Sequence, residues 1–451
     1  MAFSDTLIEM KHFDTELCAD PSRVVLRPFS ISAEPRGTAH GIMTRAERIV
    51  KTVLTLTQDA ARDYLEQVDR DFFGRHWQTH ALFLERFLQM KEMIGGMDDV
   101  SEDHAKLIGA YFSHEYSYAA AAVMNPSIVP HVDQSGVRDG AVKFVLSLRT
   151  VGEGHISSIA FREGVAMANG DFTLWPQTPF AISAIPDAFD GEGGPVTVHR
   201  HDSSPLSGTV IFPITRAQRN GLEDLRLVQF TEDDGSKHYY GTYTAYSGRE
   251  VGCEMLTTEQ FQSFHLAPLR GAAAQHKGLA LFPRKLDGRY SAIGRLDHEA
   301  LYFMQTDDRF NWNYGKRVMA PKFLWELVQL GNCGSPIELD EGWLLLTHGV
   351  GAMRQYSMGA VLLDKTDPSR VLARSEEPFL TPVTETREGY VPNVVYTCGM
   401  LKVGDYLLIP FGVADFEREI RFAASVRPAA HPEMRSARIK RPSSRPGSVR
   451  A

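Results

Sequence analysis

The sequence predicts an all-β protein, a five-bladed β-propeller preceded by a helical N-terminal segment. The turn Asp234-Gly235 lies between two apolar and aromatic runs, which is a strong signal for a β-hairpin. The pattern recurs, because a polar residue lies ten or eleven positions before each of five glycines and a β-rich run follows each glycine. These glycines are Gly136, Gly235, Gly288, Gly342 and Gly404. A β-sandwich with regularly placed turns is the alternative.

Polar residues mark both ends of the predicted hairpins. The first strands begin at Asn125, Asp224, Lys277, Asn332 and Asn393, and the second strands end at Arg149, Arg249, Arg295, His348 and Asp415. A hairpin brings its two ends together, so these side chains should share one rim of the sheets. Acids and guanidinium groups gathered there lose hydration, which favours a binding or catalytic site at that rim.

Composition narrows the function classes. The chain has 451 residues, 43% of them hydrophobic, with a net charge of −8 and a pI near 6.1, so we expect no nucleic-acid partner. Four well-separated cysteines form no CxxC pair, which favours reduced thiols and a cytoplasmic location. No apolar run approaches the roughly 18 residues of a membrane span, and the first residues lack a signal-peptide core.

The chain divides into three predicted parts. Residues 1–110 form a largely helical N-terminal segment, in which Thr44 and Glu47 make a capping box and Gly95-Gly96 ends the last apolar helix. We expect this segment to serve packing or homo-oligomer contacts. Residues 111–426 form the catalytic propeller, and residues 427–451 form a basic tail, rich in Pro and Ser, that is predicted to be disordered.

Six stretches of the chain resemble glycoside hydrolase family 130 between about Tyr111 and about Asp415. They are MNPSIV, GLEDLRLV, YYGTYTAYSG, HKGLALFPRK, GSPIELDEGWLLLTHGV and GYVPNVVY. The family comprises β-mannoside phosphorylases and β-mannosidases built on a five-bladed propeller, and a longer-chained branch carries helical residues before it. The resemblance implies an enzyme that cleaves β-mannosidic linkages of manno-oligosaccharides with inversion. A carbohydrate-binding propeller without catalysis is the alternative from another class.

The resemblance implies that Asp224 is the general acid. Residues Glu223 to Arg226 match the family's Glu-Asp-Pro-Arg type of motif except at Leu225, which replaces the usual proline. In many members the proton is thought to pass through a sugar hydroxyl. A strand-start cap or a salt bridge to Arg226 is the structural alternative for Asp224.

The identity of the nucleophile stays open in the sequence. Phosphorolysis needs no general base, because inorganic phosphate is both the co-substrate and the nucleophile. Its product is mannose 1-phosphate. Arg249 and Lys277 look like the family's phosphate-binding residues, and Arg149 and Arg295 could join them.

Hydrolysis needs a second carboxylate to activate water. Gly294 stands where the phosphorylases usually carry a histidine, and Asp297 and Glu299 follow it at positions where a hydrolytic base could lie. Alternatively, Asp297 and Glu299 bind sugar hydroxyls or Arg295.

Carboxylates, amides and imidazoles near strand ends suit the hydroxyl groups of a hexose. The predicted substrate-binding residues are Asn125, Glu223, Arg226, Asp297, Glu299, Glu338, His348, Asn393 and Asp415. We expect no cofactor and no metal, because neither His155 nor His348 has a second histidine at ligand spacing.

Overall fold

The computed structural model describes residues 9–31, 44–188, 193–382, 391–413 and 420–426. These residues form a predominantly β protein, which confirms the predicted β class. Asp415 and the predicted tail, residues 427–451, lie outside the described ranges. None of the described helices has both the length and the apolar character needed to span a membrane.

Four helices lie near the start of the described chain: α1 (Arg45–Leu54), α2 (Gln58–Phe72), α3 (Thr79–Ile94) and α4 (Glu102–Tyr111). The predicted capping box at α1 is present, since the Thr44 hydroxyl accepts from the Glu47 N–H and the Glu47 carboxylate accepts from the Thr44 N–H. A separate apolar core holds the helices together, and it includes Val50, Phe87 and Ile108.

The strands precede and follow these helices. Strands β1 (Glu9–Leu17) and β2 (Val24–Pro28) lie before the helices. The first strands after the helices are β3 (Ser113–Ser117), β4 (Ala122–Pro130), β5 (Val142–Val151), β6 (Ser157–Ala166), β7 (Phe172–Leu174), β8 (Ile182–Ser183), β9 (Ile185–Pro186), β10 (Val196–His199), β11 (Thr209–Ile211), β12 (Gly221–Thr231), β13 (Lys237–Tyr246), β14 (Val251–Thr258) and β15 (Ser263–Pro268). The later strands are β16 (Ala280–Leu281), β17 (Tyr290–Gly294), β18 (Leu301–Thr306), β19 (Gly315–Met319), β20 (Gln329–Asn332), β21 (Ile337–Glu338), β22 (Trp343–Val350), β23 (Tyr356–Leu363), β24 (Val371–Arg374), β25 (Val395–Tyr396), β26 (Leu401–Val403), β27 (Tyr406–Val413) and β28 (Ile420–Val426).

Most of these strands form five mainly antiparallel groups, which we call meanders one to five. Meander one contains β4–β8 and β11, and meander two runs in the order β12-β13-β14-β15-β10-β9. A single residue pair, Gly221 with Ser157, joins these two into one sheet. Meander three is β16–β19, meander four is β20–β24, and meander five is β25–β28 with β1. No sheet in the described part of the chain closes on itself.

The start of the chain completes the last meander. Strand β1 pairs antiparallel with β28, and Phe13 packs edge-on against Phe172 of meander one with ring centroids 5.0 Å apart. Strand β2 pairs with β3 and contributes the fully buried Val25 to the core of meander one. The described residues up to Tyr111 therefore supply two strands to the β body as well as four helices. The predicted domain boundaries stay a prediction.

Helices α3 and α4 approach each other at Gly109. A Cβ atom there would lie 1.8 Å from the Phe83 carbonyl oxygen and 2.6 Å from its carbonyl carbon. We expect Gly109→Ala to lower the free energy of unfolding by about 1–3 kcal/mol, because backbone has to move. Gly74→Ala is the matched control, since its added methyl group meets nothing within 4 Å. Urea denaturation followed by fluorescence measures both, and unchanged stability of Gly109→Ala would contradict this packing.

Candidate active site

Three of the predicted polar positions have left-handed backbone. The φ angles are 48° at Asn125, 56° at Asp224 and 62° at Asn393. Asn and Asp tolerate this region better than other residues with a Cβ atom. Asn125 and Asp224 each lie within a bulge, where the register of β4 against β5 and of β12 against β13 shifts. A bulge redirects a side chain, so the backbone aims these two polar groups away from the regular sheet faces.

One cavity of about 230 Å³ is lined by residues from all five meanders. Its charged and hydrogen-bonding lining residues include Asn125, Arg149, Asp224, Arg226, Lys277, Arg295, His348, Arg354 and Tyr396. Five of them are cations, and Asp224 is the one carboxylate among the described lining residues. This excess of positive charge favours an anionic ligand.

Asp224 is held by two arginines. Its Oδ1 accepts from Arg149 Nη1 at 3.0 Å, and its backbone carbonyl accepts from Arg226 Nη1 at 3.0 Å. Burial acts to raise the pKa of the Asp224 carboxyl, but the charges of Arg149, Lys277 and Arg226 outweigh it and lower that pKa below its ordinary value. Without a bound anion, Asp224 is therefore an ionised carboxylate at neutral pH.

Glu223 bridges two cations beside the cavity. Its Oε1 accepts from Arg149 Nη2 at 2.8 Å and its Oε2 accepts from Lys277 Nζ at 2.7 Å. Its side chain is 11% exposed and is not among the residues that line the cavity. Glu223 thus contacts the cationic residues, whereas Asp224 lines the cavity itself.

A buried pair forms another part of the wall. Arg226 Nη2 donates to the Tyr396 hydroxyl at 2.6 Å, and both residues are buried. Burial raises the pKa of Tyr396 well above its ordinary value, so the phenol is neutral. Its oxygen accepts from Arg226 and its hydroxyl hydrogen can still be donated to a ligand in the cavity.

His348 and Arg295 complete the wall between meanders three and four. Arg295 Nε donates to the Lys277 carbonyl at 3.1 Å. Burial and the nearby charges of Arg295 and Arg226 lower the pKa of His348 well below its ordinary value. The imidazole is therefore neutral, and it packs against Tyr396 with ring centroids 4.8 Å apart.

Two buried amides near the cavity lack partners among the described residues. They are Asn125, at its Oδ1, and Asn332, at both Oδ1 and Nδ2. An unmet buried hydrogen bond costs about 1–3 kcal/mol, so these atoms favour a polar occupant. Asn332 lies close to Gly278, where a Cβ atom would be 3.7 Å from the Asn332 Oδ1 and 3.6 Å from Arg295 Nη2.

Several predicted site residues lie outside the cavity lining. Arg249 is exposed in the turn between β13 and β14. The Asp297 carboxylate accepts from the N–H groups of Glu299 and Ala300, at 2.9 and 2.7 Å, and from the Tyr302 hydroxyl at 2.7 Å. It therefore stabilises a local turn, and the Glu299 side chain is exposed.

Glu338 and Asn393 also lie outside the cavity lining. Glu338, on strand β21, accepts from Arg284 Nη2 at 2.9 Å and from Arg284 Nε at 3.0 Å. Asn393 is not among the lining residues, although its carbonyl fixes Tyr356 through a 2.9 Å hydrogen bond and Tyr356 does line the cavity. Asp415 lies outside the described residues.

Sequence reasoning missed Arg354, Tyr356 and Gln329, which line the cavity from meander four. Arg354 follows β22 in a turn where Met353 and Arg354 have φ angles of 55° and 56°. No sequence signal marks the left-handed positions of that turn, because Met353 and Arg354 occupy them in place of the usual Gly or Asn.

The chain is similar to known glycoside-active enzymes. The family model described as beta-1,4-mannooligosaccharide phosphorylase matches residues 204–423. A 1,2-beta-oligomannan phosphorylase from Thermoanaerobacter sp. (strain X514) is 34% identical over 214 residues, which are 47% of this chain and 70% of that protein. A beta-1,2-mannobiose phosphorylase from the same organism is 30% identical over 259 residues, 55% of this chain and 80% of that protein.

The solved structures agree on the fold. A putative glycoside hydrolase from Bacteroides ovatus ATCC 8483 superposes with a TM-score of 0.51 at 16% identity, covering 69% of this chain and 89% of that one. The curated relatives are named as phosphorylases of mannosides, and this chain is likewise an enzyme that acts on glycosides. The chain belongs to glycoside hydrolase family 130, as its sequence motifs indicate.

The lowered pKa of Asp224 predicts how stability depends on pH. A carboxyl whose folded-state pKa is lowered stabilises the fold above its unfolded pKa, about 3.9, and loses this contribution as the pH falls through the folded value. We expect Asp224→Asn to be less stable than the wild type by about 1–3 kcal/mol at pH 7, with the difference shrinking below about pH 4. Urea denaturation across pH measures this difference. A difference that stays constant down to pH 3 would contradict an ionised Asp224.

Proposed function

We propose that the protein cleaves β-mannosidic linkages of manno-oligosaccharides by phosphorolysis with inversion and releases mannose 1-phosphate. The main support for the proposal is the cavity, whose lining contains five cationic side chains and one carboxylate among the described residues. Phosphorolysis needs an anion-binding site and a single acid, and the cavity offers both. The curated relatives, whose names describe mannoside phosphorylases, support the same reaction.

In this reaction a phosphate oxygen attacks the anomeric carbon on the face opposite the leaving sugar. A new carbon–oxygen bond to phosphate forms as the glycosidic carbon–oxygen bond breaks. The proton from Asp224 goes to the glycosidic oxygen, directly or through a hydroxyl group of the sugar. Arg149, Lys277 and Arg295 offer fork and point-charge donors for the phosphate oxygens.

Phosphate also accounts for how Asp224 could act as an acid. The charges of Arg149, Lys277 and Arg226 keep the carboxyl ionised when no anion is present. A phosphate anion among the same cations offsets their effect on the pKa of Asp224. Phosphate binding therefore raises the pKa of Asp224 and makes its protonated form more accessible in the complex that also contains the nucleophile.

The alternative, hydrolysis, has less support from the contacts. An inverting hydrolase needs two carboxyl groups about 6.5–9.5 Å apart, one of which activates water. Asp297 is committed to its own turn and Glu299 is exposed, so neither lines the cavity. At Gly294, a Cβ atom would lie 2.9 Å from Met304 Cε and 3.0 Å from Leu279 Cδ1. A side chain at Gly294 would therefore have to displace the ends of Met304 and Leu279. His348 of meander four supplies an imidazole to the cavity wall.

We further propose that the five meanders are the blades of a five-bladed propeller. Residues from each meander line the same cavity, as expected for blades around a central axis. Strand β1 joins β28, so the first strand of the described chain contributes to the last blade and links the two ends of the ring.

A product assay tests the proposed function. Purified protein is incubated with β-1,2- and β-1,4-mannobiose, with and without phosphate, and mannose and mannose 1-phosphate are quantified. We expect mannose 1-phosphate with the α configuration, formed only when phosphate is present. Asp224→Asn should reduce the rate by about 10²–10⁴-fold as the loss of a general acid predicts. Equal release of mannose without phosphate would establish hydrolysis, and sugar binding without turnover would establish the carbohydrate-binding alternative.

Lys277→Ala separates the two nucleophiles. Lys277 lines the cavity, and a charge-assisted contact of this kind contributes roughly 1.5–3 kcal/mol, so the KM for phosphate should rise about ten- to a hundredfold. The KM for mannobiose should change much less. Lys285→Ala is the matched control, because Lys285 pairs with Glu232 and Asp233 at the outer turn of β12 and β13. Unaltered phosphate kinetics in Lys277→Ala would contradict this placement of the phosphate.

A further inference from the structure

Glu223 connects cations that belong to different sheets. Arg149 lies on β5 of meander one, whereas Lys277 precedes β16 of meander three. One Glu223 oxygen accepts from each, at 2.8 Å and 2.7 Å. Glu223 itself lies on β12 of meander two, immediately before the bulge that directs Asp224 into the cavity. A single buried carboxylate thus sets the spacing of two charges that the backbone holds independently.

The two cations differ in how firmly they are held. Arg149 also donates through Nε to the Ser157 hydroxyl at 2.9 Å and through Nη1 to Asp224 at 3.0 Å. Among the described residues, the ammonium group of Lys277 has one hydrogen-bond partner, Glu223. The Lys277 side chain is 37% exposed, and its four-carbon stem rotates freely when it is not anchored. Its position therefore depends on Glu223.

We propose that Glu223 is a positioning residue, which holds Lys277 beside Arg149 so that both can bind one phosphate. This inference rests on the proposed phosphorolysis, and it replaces the sequence-based assignment of Glu223 to substrate binding. Without the carboxylate, Arg149 and Lys277 repel each other and the exposed Lys277 moves towards solvent. Both oxygens of Glu223 are already hydrogen-bonded, so a sugar hydroxyl would have to displace a charge-assisted bond to reach it.

A competing effect has the opposite sign. Removing the Glu223 charge makes the cavity more positive, and this by itself would strengthen phosphate binding. If Glu223 were merely a counter-ion that phosphate displaces, a neutral substitute would lower the KM for phosphate. Positioning predicts that the KM rises, so the direction of the change separates the two roles.

The test begins with Glu223→Gln, which keeps the shape of the side chain but removes its charge. We expect the KM for phosphate to rise about tenfold, corresponding to the loss of one charge-assisted contact, and the KM for mannobiose to change less than about twofold. Most of kcat should be recovered at saturating phosphate. Glu232→Gln is the matched control, since it makes the same charge change at the outer turn, where Glu232 accepts from Tyr240 and Tyr290.

A double-mutant cycle tests whether Glu223 acts through Lys277. In the Lys277→Ala background, Glu223→Gln should raise the KM for phosphate by less than about twofold, because the anchored group is already gone. An equal rise in both backgrounds, a fall in the KM for phosphate when Lys277 is present, or an increase confined to the KM for mannobiose would each overturn the proposal.

Calorimetric titration of inorganic phosphate into each variant separates this inference from the proposed function. A wild type that binds phosphate but forms no mannose 1-phosphate would refute phosphorolysis. The positioning role would still hold if Glu223→Gln weakened that binding about tenfold and only when Lys277 was present. A wild type that binds no phosphate would overturn both.

Discussion

The cavity's excess of positive charge is the constraint on which the site depends. Five cations converge there from four of the meanders, and these like charges repel one another. Glu223 and Asp224, adjacent on one strand, offset part of this charge through Arg149 and Lys277. The remaining positive charge favours the binding of an anion, which suits a reaction with an anionic partner.

The same charges determine the ionisation of the acid. A buried carboxyl in apolar surroundings would have a raised pKa and would hold its proton. Asp224 is ionised because Arg149, Arg226 and Lys277 outweigh its burial. Its acidity is therefore coupled to whatever neutralises those cations. Nucleophile binding and proton transfer then become linked through electrostatics.

The cavity region contains both left-handed backbone and unmet hydrogen bonds. Asn125 and Asp224 adopt left-handed backbone at bulges, a conformation that costs of order 1–3 kcal/mol each and persists because the surrounding sheets enforce it. The amide of Asn332 is fully buried without a partner among the described residues. A substrate or ordered water that meets such groups gains hydrogen bonds that the protein already prepared.

The sequence by itself determined the recurrence of polar strand ends, and this was sufficient to predict that residues such as Asn125, Arg149 and Lys277 would meet at one site. It determined the β class for the same reason, since hairpin signals are local. Only the tertiary structure decided which strand-end residues reach the cavity. Arg249 is exposed in a turn and the Asp297 carboxylate accepts from neighbouring N–H groups, although the sequence predicts both as site residues. The direction of a side chain depends on bulges, left-handed residues and partners from other sheets, and none of these is encoded in spacing along the chain.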